Sequence, residues 1–261
     1  MELKSRNHLS EFLEKPENYL KVRVTFNMKQ EDLTQLATSD IGSKLKELSF
    51  TPKYGSRSAV IDFSQVQFPA LEKLEIHHQV IEAIDFTQEN YPELQSLTIE
   101  QITAKNPSYF KTDLPKLRFM SFQFITIDDP LGFGDSLSSS PNLEYFSGYK
   151  LWGLGTSKKH THRLVLPKCE ELDLYRSDDL TYLKIWAPKL QSLNLQACYS
   201  LEEVTILDRK PNGYSGDEYG FNGDPSKYTL NLVNAPKPKG NVTTHQRCKK
   251  ILEEFEELGF F

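Results

Sequence analysis

Phe68-Pro69-Ala70-Leu71-Glu72-Lys73-Leu74-Glu75-Ile76, Tyr91-Pro92-Glu93-Leu94-Gln95-Ser96-Leu97-Thr98-Ile99 and Ala187-Pro188-Lys189-Leu190-Gln191-Ser192-Leu193-Asn194-Leu195 are one phrase written three times. A proline is followed two residues on by leucine, then by two further apolar residues spaced as LxxLxL. The phrase recurs as Leu114-Pro115-Lys116-Leu117 with Met120 and Phe122, and as Leu166-Pro167-Lys168-Cys169 with Leu172 and Leu174. In Ser140-Pro141-Asn142-Leu143 it runs on to Phe146, and Gly148 stands at the third apolar place. Leu45, Leu48 and Phe50 form an earlier copy without the proline. The first apolar residues fall at 45, 71, 94, 117, 143, 169 and 190, giving steps of 26, 23, 23, 26, 26 and 21 residues. Seven copies at that period mark an array of small units. None can bury its own apolar residues, so neighbours must bury them jointly.

Between the copies lies a second, shorter alternation: Val60-Ile61-Asp62-Phe63, Ile84-Asp85-Phe86, Leu164-Val165-Leu166, Leu183-Lys184-Ile185 and Val204-Thr205-Ile206. Alternating apolar residues over so few positions predict a second short strand in each unit rather than a helix. The prolines suit the corners, where a missing N–H costs least.

The LxxLxL phrase at this period resembles the leucine-rich-repeat superfamily over residues 40–207. The resemblance implies a repeat solenoid of the α/β class, rich in β. It would be a curved stack with a parallel concave sheet, short convex strands, and helical N- and C-terminal caps. The two-strand units are reminiscent of bacterial-type repeats and of F-box repeat proteins. The chain departs from the family pattern where an Asn usually follows LxxLxLxx. Gln123-Phe124, Tyr175-Arg176 and Gln196-Ala197 occupy that stretch, so the turn must be made otherwise.

Three parts follow. Residues 1–40 are an N-terminal cap with a helix around 10–14, a strand over 20–26 and a helix over 30–36. Residues 41–207 hold the seven repeats, whose strands would form a sheet roughly 30–35 Å along the stack. Residues 208–261 hold a loop insertion and a capping helix over 244–258, with Leu230-Asn231-Leu232 as one more convex strand. Residues 127–140 and 209–227, rich in Gly, Pro, Asn and Ser, are expected to be turn-rich insertions.

Net charge is −5 and the pI is near 5.8. Cations are not in excess, which disfavours nucleic acid as a partner, since phosphate contacts supply most of such affinity. No apolar run is long enough for a membrane span or a secretory signal. Three cysteines without CxxC spacing fit a reducing cytoplasmic or nuclear setting. No cofactor is implied, and a monomer is expected.

Side chains alternate along a strand, so the residues between the leucines point to the concave face. The first column reads Glu47, Lys73, Ser96, Phe119, Tyr145, Glu171, Ser192. The middle reads Ser49, Glu75, Thr98, Ser121, Ser147, Asp173, Asn194, and the last Thr51, His77, Glu100, Gln123, Tyr149, Tyr175, Gln196. Phe119, Tyr145, Tyr149 and Tyr175 are thus expected to cluster across three turns beside Glu171 and Asp173. Exposed aromatics flanked by charge have the composition of a binding hot spot. The acids would suit a protein partner with a basic segment. Tyr214, Tyr219 and Phe221, among acids in 209–227, form a second candidate surface.

Two further readings follow from the same residues. One is the substrate-receptor part of a ubiquitin ligase, as in F-box repeat proteins, although residues 1–40 lack a Leu-Pro-rich F-box helix set. The other is carbohydrate binding on the aromatic strip, or metal-dependent activity at the 209–227 loop. Nucleotide, hydrolase and zincin motifs are absent, so no enzyme is expected. His160-Thr161-His162 lies among cations and reads as a solvated basic loop. His77 and His78, as strand neighbours, should point to opposite faces. Cys248 falls on the apolar face of the capping helix and reads as a packed thiol.

Overall fold

The computed structural model describes residues 1–14, 20–52, 59–106, 109–127, 130–155, 162–201, 203–206 and 229–231. The chain opens with β1 (Glu2–Leu3), α1 (Arg6–Glu14), β2 (Lys21–Val24) and α2 (Gln30–Ala37). The first copy of the phrase supplies β3 (Glu47–Phe50) and β4 (Val60–Ile61). The next supplies β5 (Lys73–His77), β6 (Val80–Ile81) and β7 (Ile84–Thr87), and the third β8 (Ser96–Glu100), β9 (Thr103–Ala104) and β10 (Phe110–Asp113). Then β11 (Phe119–Thr126) leads to α3 (Pro130–Ser138), and β12 (Tyr145–Trp152) to β13 (His162–Val165). Next, β14 (Glu171–Asp173) leads to β15 (Tyr182–Trp186), and β16 (Ser192–Asn194) to β17 (Glu203–Ile206), before β18 (Thr229–Asn231).

The fold is β-rich, with few helices and one large sheet. Its ten strands are parallel and follow chain order, β1-β2-β3-β5-β8-β11-β12-β14-β16-β18. Three smaller parallel sheets, β4-β6-β9, β7-β10 and β13-β15-β17, take up the second strands. The register keeps the phrase aligned. Leu48, Leu74, Leu97, Met120, Phe146, Leu172 and Leu193 pair in one row across the sheet, and all are buried. Because a slip of one residue would turn that entire row outward, the leucine pattern fixes the register.

Each proline makes its corner in the same way. The first apolar residue of the phrase donates its N–H to the carbonyl of the residue before proline, as in Leu71 to Phe68 and Leu94 to Tyr91. Proline therefore occupies the second position of a β-turn, where its fixed φ is preformed and its missing N–H is not needed.

The opposite corner is built without an Asn. His78, Gln101, Phe124, Lys150, Arg176 and Ala197 stand seven residues after the first apolar residue of their copies, and each has φ between 51° and 60°. One left-handed residue reverses the in-out alternation. The next residue, Gln79, Ile102, Ile125, Leu151, Ser177 or Cys198, is buried in consequence. The Ser177 hydroxyl donates to the Gly148 carbonyl (3.2 Å) and the Cys198 thiol to the Leu174 carbonyl (3.1 Å), joining one strand of the sheet to the next turn.

Three expectations are corrected. The sheet has ten strands rather than seven, because β1 and β2 from the expected cap and β18 all join it. Leu230 belongs to the large sheet, paired with Leu193, and not to a convex strand; Thr229-Leu230-Asn231 repeats the Ser192-Leu193-Asn194 pattern and takes its register. Residues 130–138 form α3 rather than a loop. Pro130 begins the helix, where its ring is tolerated, and Phe133 and Leu137 bury one face. A side chain at Gly134 would stand 3.1 Å from the Arg163 carbonyl, so glycine permits α3 to lie against β13. The expected helix at 244–258, with Cys248, and the segment 209–227 lie outside the described residues.

Candidate functional site

On its core side the large sheet is continuous leucine, isoleucine and phenylalanine. Its outer face divides by chemistry. Over β2, β3, β5 and β8 it carries paired charges: Lys21 with Glu47, Lys73 with Glu75 (2.7 Å), and His77 with Glu100 (3.0 Å). Here the strand reading of the two histidines is corrected. β5 ends at His77, His78 takes the left-handed conformation, and both line one shallow depression with Arg23, Ser49 and Glu75.

Over β11, β12 and β14 the outer face is aromatic. Phe119 and Tyr145 are register partners, and their rings stack at 4.8 Å with planes 1° apart. Tyr149 and Tyr175 stack at 5.4 Å. The four residues come from three successive units, Phe119 on β11, Tyr145 and Tyr149 on β12 and Tyr175 in the turn after β14, and they form two stacks rather than one cluster. Between them runs the middle column, where Ser121 and Ser147 are 4 % and 8 % exposed. These serines are covered from solvent between the two pairs of rings, and the Gln123 amide reaches the Ser121 hydroxyl at 3.4 Å. Four residues separate Tyr145 from Tyr149 along β12, so the two rows stand about 13 Å apart at their Cα atoms.

Glu171 pairs with Tyr145 in the first row and is exposed. Asp173 is the register partner of Ser147 on β14. Burial holds its carboxyl above the usual range, opposed by hydrogen bonds from the Tyr175 N–H (2.9 Å) and Asn194.

Four residues of this surface escape a reading by strand alternation. Phe124 meets Tyr149 edge-on at 5.0 Å and lies 6.5 Å from the Trp152 ring. Lys150 stands over both Phe124 (5.0 Å) and Tyr149 (5.7 Å), and Arg176 over Tyr175 (5.7 Å). Phe124, Lys150 and Arg176 are left-handed corner residues, which is why counting by twos misplaces them. Phe119 and Trp152 are 37 % and 38 % exposed. The last row therefore ends in two cations, the first in an acid.

Reactive chemistry elsewhere is weak. Burial pushes the Cys169 and Cys198 thiols up to about 12, so at neutral pH neither offers a thiolate. Among the described residues, no group of three His, Cys, Asp or Glu is placed to hold a metal ion, and no helix is long and apolar enough to cross a membrane. Tyr214, Tyr219, Phe221 and His160 lie outside the described residues. A scan of protein-family models finds no match to the chain, and neither does a search of curated protein sequences.

Proposed function

We propose that the chain is a leucine-rich-repeat solenoid that works as a protein-recognition module, gripping a partner segment on the aromatic outer face of its large sheet. One observation carries this reading: two aromatic stacks, Phe119–Tyr145 and Tyr149–Tyr175, stand side by side on the outer face of three successive units. Strand-borne rings held by stacking lose little freedom when covered, and rigid aromatics of this kind dominate binding energies. Glu171, exposed beside the first stack, suits a basic group on the partner.

The test is affinity capture from source-cell lysate with the intact chain and with a Phe119→Ala/Tyr145→Ala/Tyr149→Ala/Tyr175→Ala variant of unchanged melting temperature. A protein held by the first and lost by the second supports the reading. A partner held equally by both sinks it.

A further inference from the structure

Resting on that reading, we propose that the partner presents an acidic protein segment, one carboxylate of which is held by Lys150 and Arg176 at the corner end of the Tyr149–Tyr175 stack. Charges on successive turns of this chain are repeatedly paired. Lys21 pairs with Glu47, Lys46 with Glu72, His77 with Glu100, Lys116 with Glu93 and Arg118 with Glu144. Each pair joins residues 23 or 26 positions apart, so a cation on one turn meets an acid on the next. Lys168 and Lys189 are both cations, but Glu144 lies near enough to feel both. Lys150 and Arg176 depart from this pattern. They occupy the same left-handed corner position of successive copies, where like charges side by side are destabilising. Among the described residues no carboxylate forms an ion pair with either. The acids nearby are engaged: Asp173 by the Tyr175 N–H and Asp179 by the Gly153 N–H.

Rings stand where the acid would be. Lys150 lies over Phe124 at 5.0 Å and over Tyr149 at 5.7 Å. Arg176 lies over Tyr175 at 5.7 Å and donates to the Tyr149 hydroxyl. One side chain, Tyr149, thus holds both cations, and a ring orients a cation without neutralising it. A partner's anion supplies the counter-charge that the pairs above find within the chain. Access is from the corner, on the far side of the Tyr149–Tyr175 stack from the covered serines. Both cations are partly exposed there, Trp152 is exposed beside Phe124, and Tyr199 near Arg176 is 57 % exposed. Donor count selects a carboxylate over a phosphoryl group. The Lys150 and Arg176 N–H groups are spent on the Tyr175 and Gln196 carbonyls, at 3.0 Å each. Two side-chain cations remain, enough for the two oxygens of a carboxylate. A phosphoryl dianion has three oxygens and is better served by a nest of backbone N–H groups.

The probe is a phage-displayed library of random linear twelve-residue peptides, selected on the full chain and followed by anisotropy titration of synthetic winners. Winners should carry Glu or Asp and bind less tightly as salt rises. They should lose at least about tenfold in affinity on Lys150→Gln/Arg176→Gln, and more on Lys150→Glu/Arg176→Glu. Replacing the peptide's acid by Lys should restore binding to the charge-reversed variant, which also shows that this variant is folded. Winners indifferent to both charge variants but lost on Phe119→Ala/Tyr145→Ala overturn the carboxylate contact and leave the recognition reading standing. Winners indifferent to charge and ring removal alike overturn both. A phosphoserine that binds more than about tenfold tighter than the Glu it replaces overturns the carboxylate in favour of a phosphoryl group. Failure to select any acidic peptide, while a folded partner is captured from lysate, overturns the acidic segment and leaves the recognition reading intact.

Discussion

Gly148 distinguishes an argument from repeat pattern from an argument from packing. By pattern it is a defect: it stands where other copies carry Phe50, Ile76, Ile99, Phe122, Leu174 or Leu195, and restoring an apolar residue should stabilise the chain. By packing it is filled. A Cβ at Gly148 would stand 2.7 Å from Leu151 Cδ1, and 3.0 Å from both Leu174 Cδ2 and Phe146 Cε1. Comfortable carbon contacts lie at about 3.5–4.0 Å, so neighbours must retreat by roughly 0.5–1 Å. Leu151, Phe146 and Leu174 are at most 1 % exposed and have little room to do so. Overpacking costs about 1–3 kcal/mol. Gly148 does not have positive φ, so alanine regains about 0.4–1 kcal/mol through the unfolded chain. Gly148→Ala should therefore destabilise by about 0.5–2 kcal/mol, and Gly148→Leu by about 3 kcal/mol. Urea titration followed by circular dichroism reads the difference, with Leu151→Ala as a control. In the Gly148→Ala background, Leu151→Ala should cost at least about 0.5 kcal/mol less than it does alone. If Gly148→Ala is as stable as the parent, or the two changes simply add, the packing argument fails.

Other consequences can be measured on the same preparations. Gln101→Gly relieves a left-handed residue (φ 51°) and should stabilise by about 0.5–1 kcal/mol in the same titration. Tyr91→Phe removes the buried hydroxyl that donates to the Phe63 carbonyl at 2.6 Å and should cost about 1–3 kcal/mol. Because burial raises the Asp173 carboxyl above its unfolded range, its contribution to stability is full below the unfolded pKa and is lost as pH rises through the folded one. Asp173→Asn should flatten that slope, since Asn194 already accepts the equivalent bond from the Gln196 N–H; a slope unchanged by the substitution refutes the assignment. Cys169 and Cys198 should resist iodoacetamide at pH 8 in the native state and react only after denaturation; native labelling read by mass spectrometry at either position contradicts their burial.

The large sheet was legible because its rule is local and repeated. Leu71, Leu94 and Leu117 announce the same phrase, and register then follows from burying one face. The second strands were legible at Ile84–Thr87 and Tyr182–Trp186 for the same reason. Val80–Ile81 and Thr103–Ala104 were not, being two residues long with no period to read. α3 was hidden because Gly132 and Gly134 count locally as breakers, whereas the contact of Gly134 with Arg163, twenty-nine positions on, makes glycine useful there. The outer columns were predicted correctly up to the corner and lost beyond it. No glycine or asparagine marks the left-handed position; Phe124, Lys150 and Arg176 have side chains that ordinarily avoid it. Only a tertiary requirement, the burial of the following residue, holds them there.

The aromatic face is also backed by a packed helix, which bears on how it would bind. Phe146 lies on the core side of β12, between the outward Tyr145 and Ser147. It meets Phe122 at 6.0 Å and Phe133 of α3 at 5.8 Å. α3 is fixed in turn: the Val165 N–H donates to the Ser138 hydroxyl at 3.0 Å, and Gly134 rests on Arg163. The helix thus stands between the strands β10 and β13 and supports β12 from behind. β11 and β12 are the longest strands of the chain's described residues, eight residues each, and stay paired past the corner through Thr126 and Trp152. A face backed by a packed helix and two long strands keeps its rings in place before any ligand arrives, which reduces the ordering cost of association. The backing of β12, which the sequence did not disclose, therefore coincides with the aromatic outer face that the sequence columns had singled out.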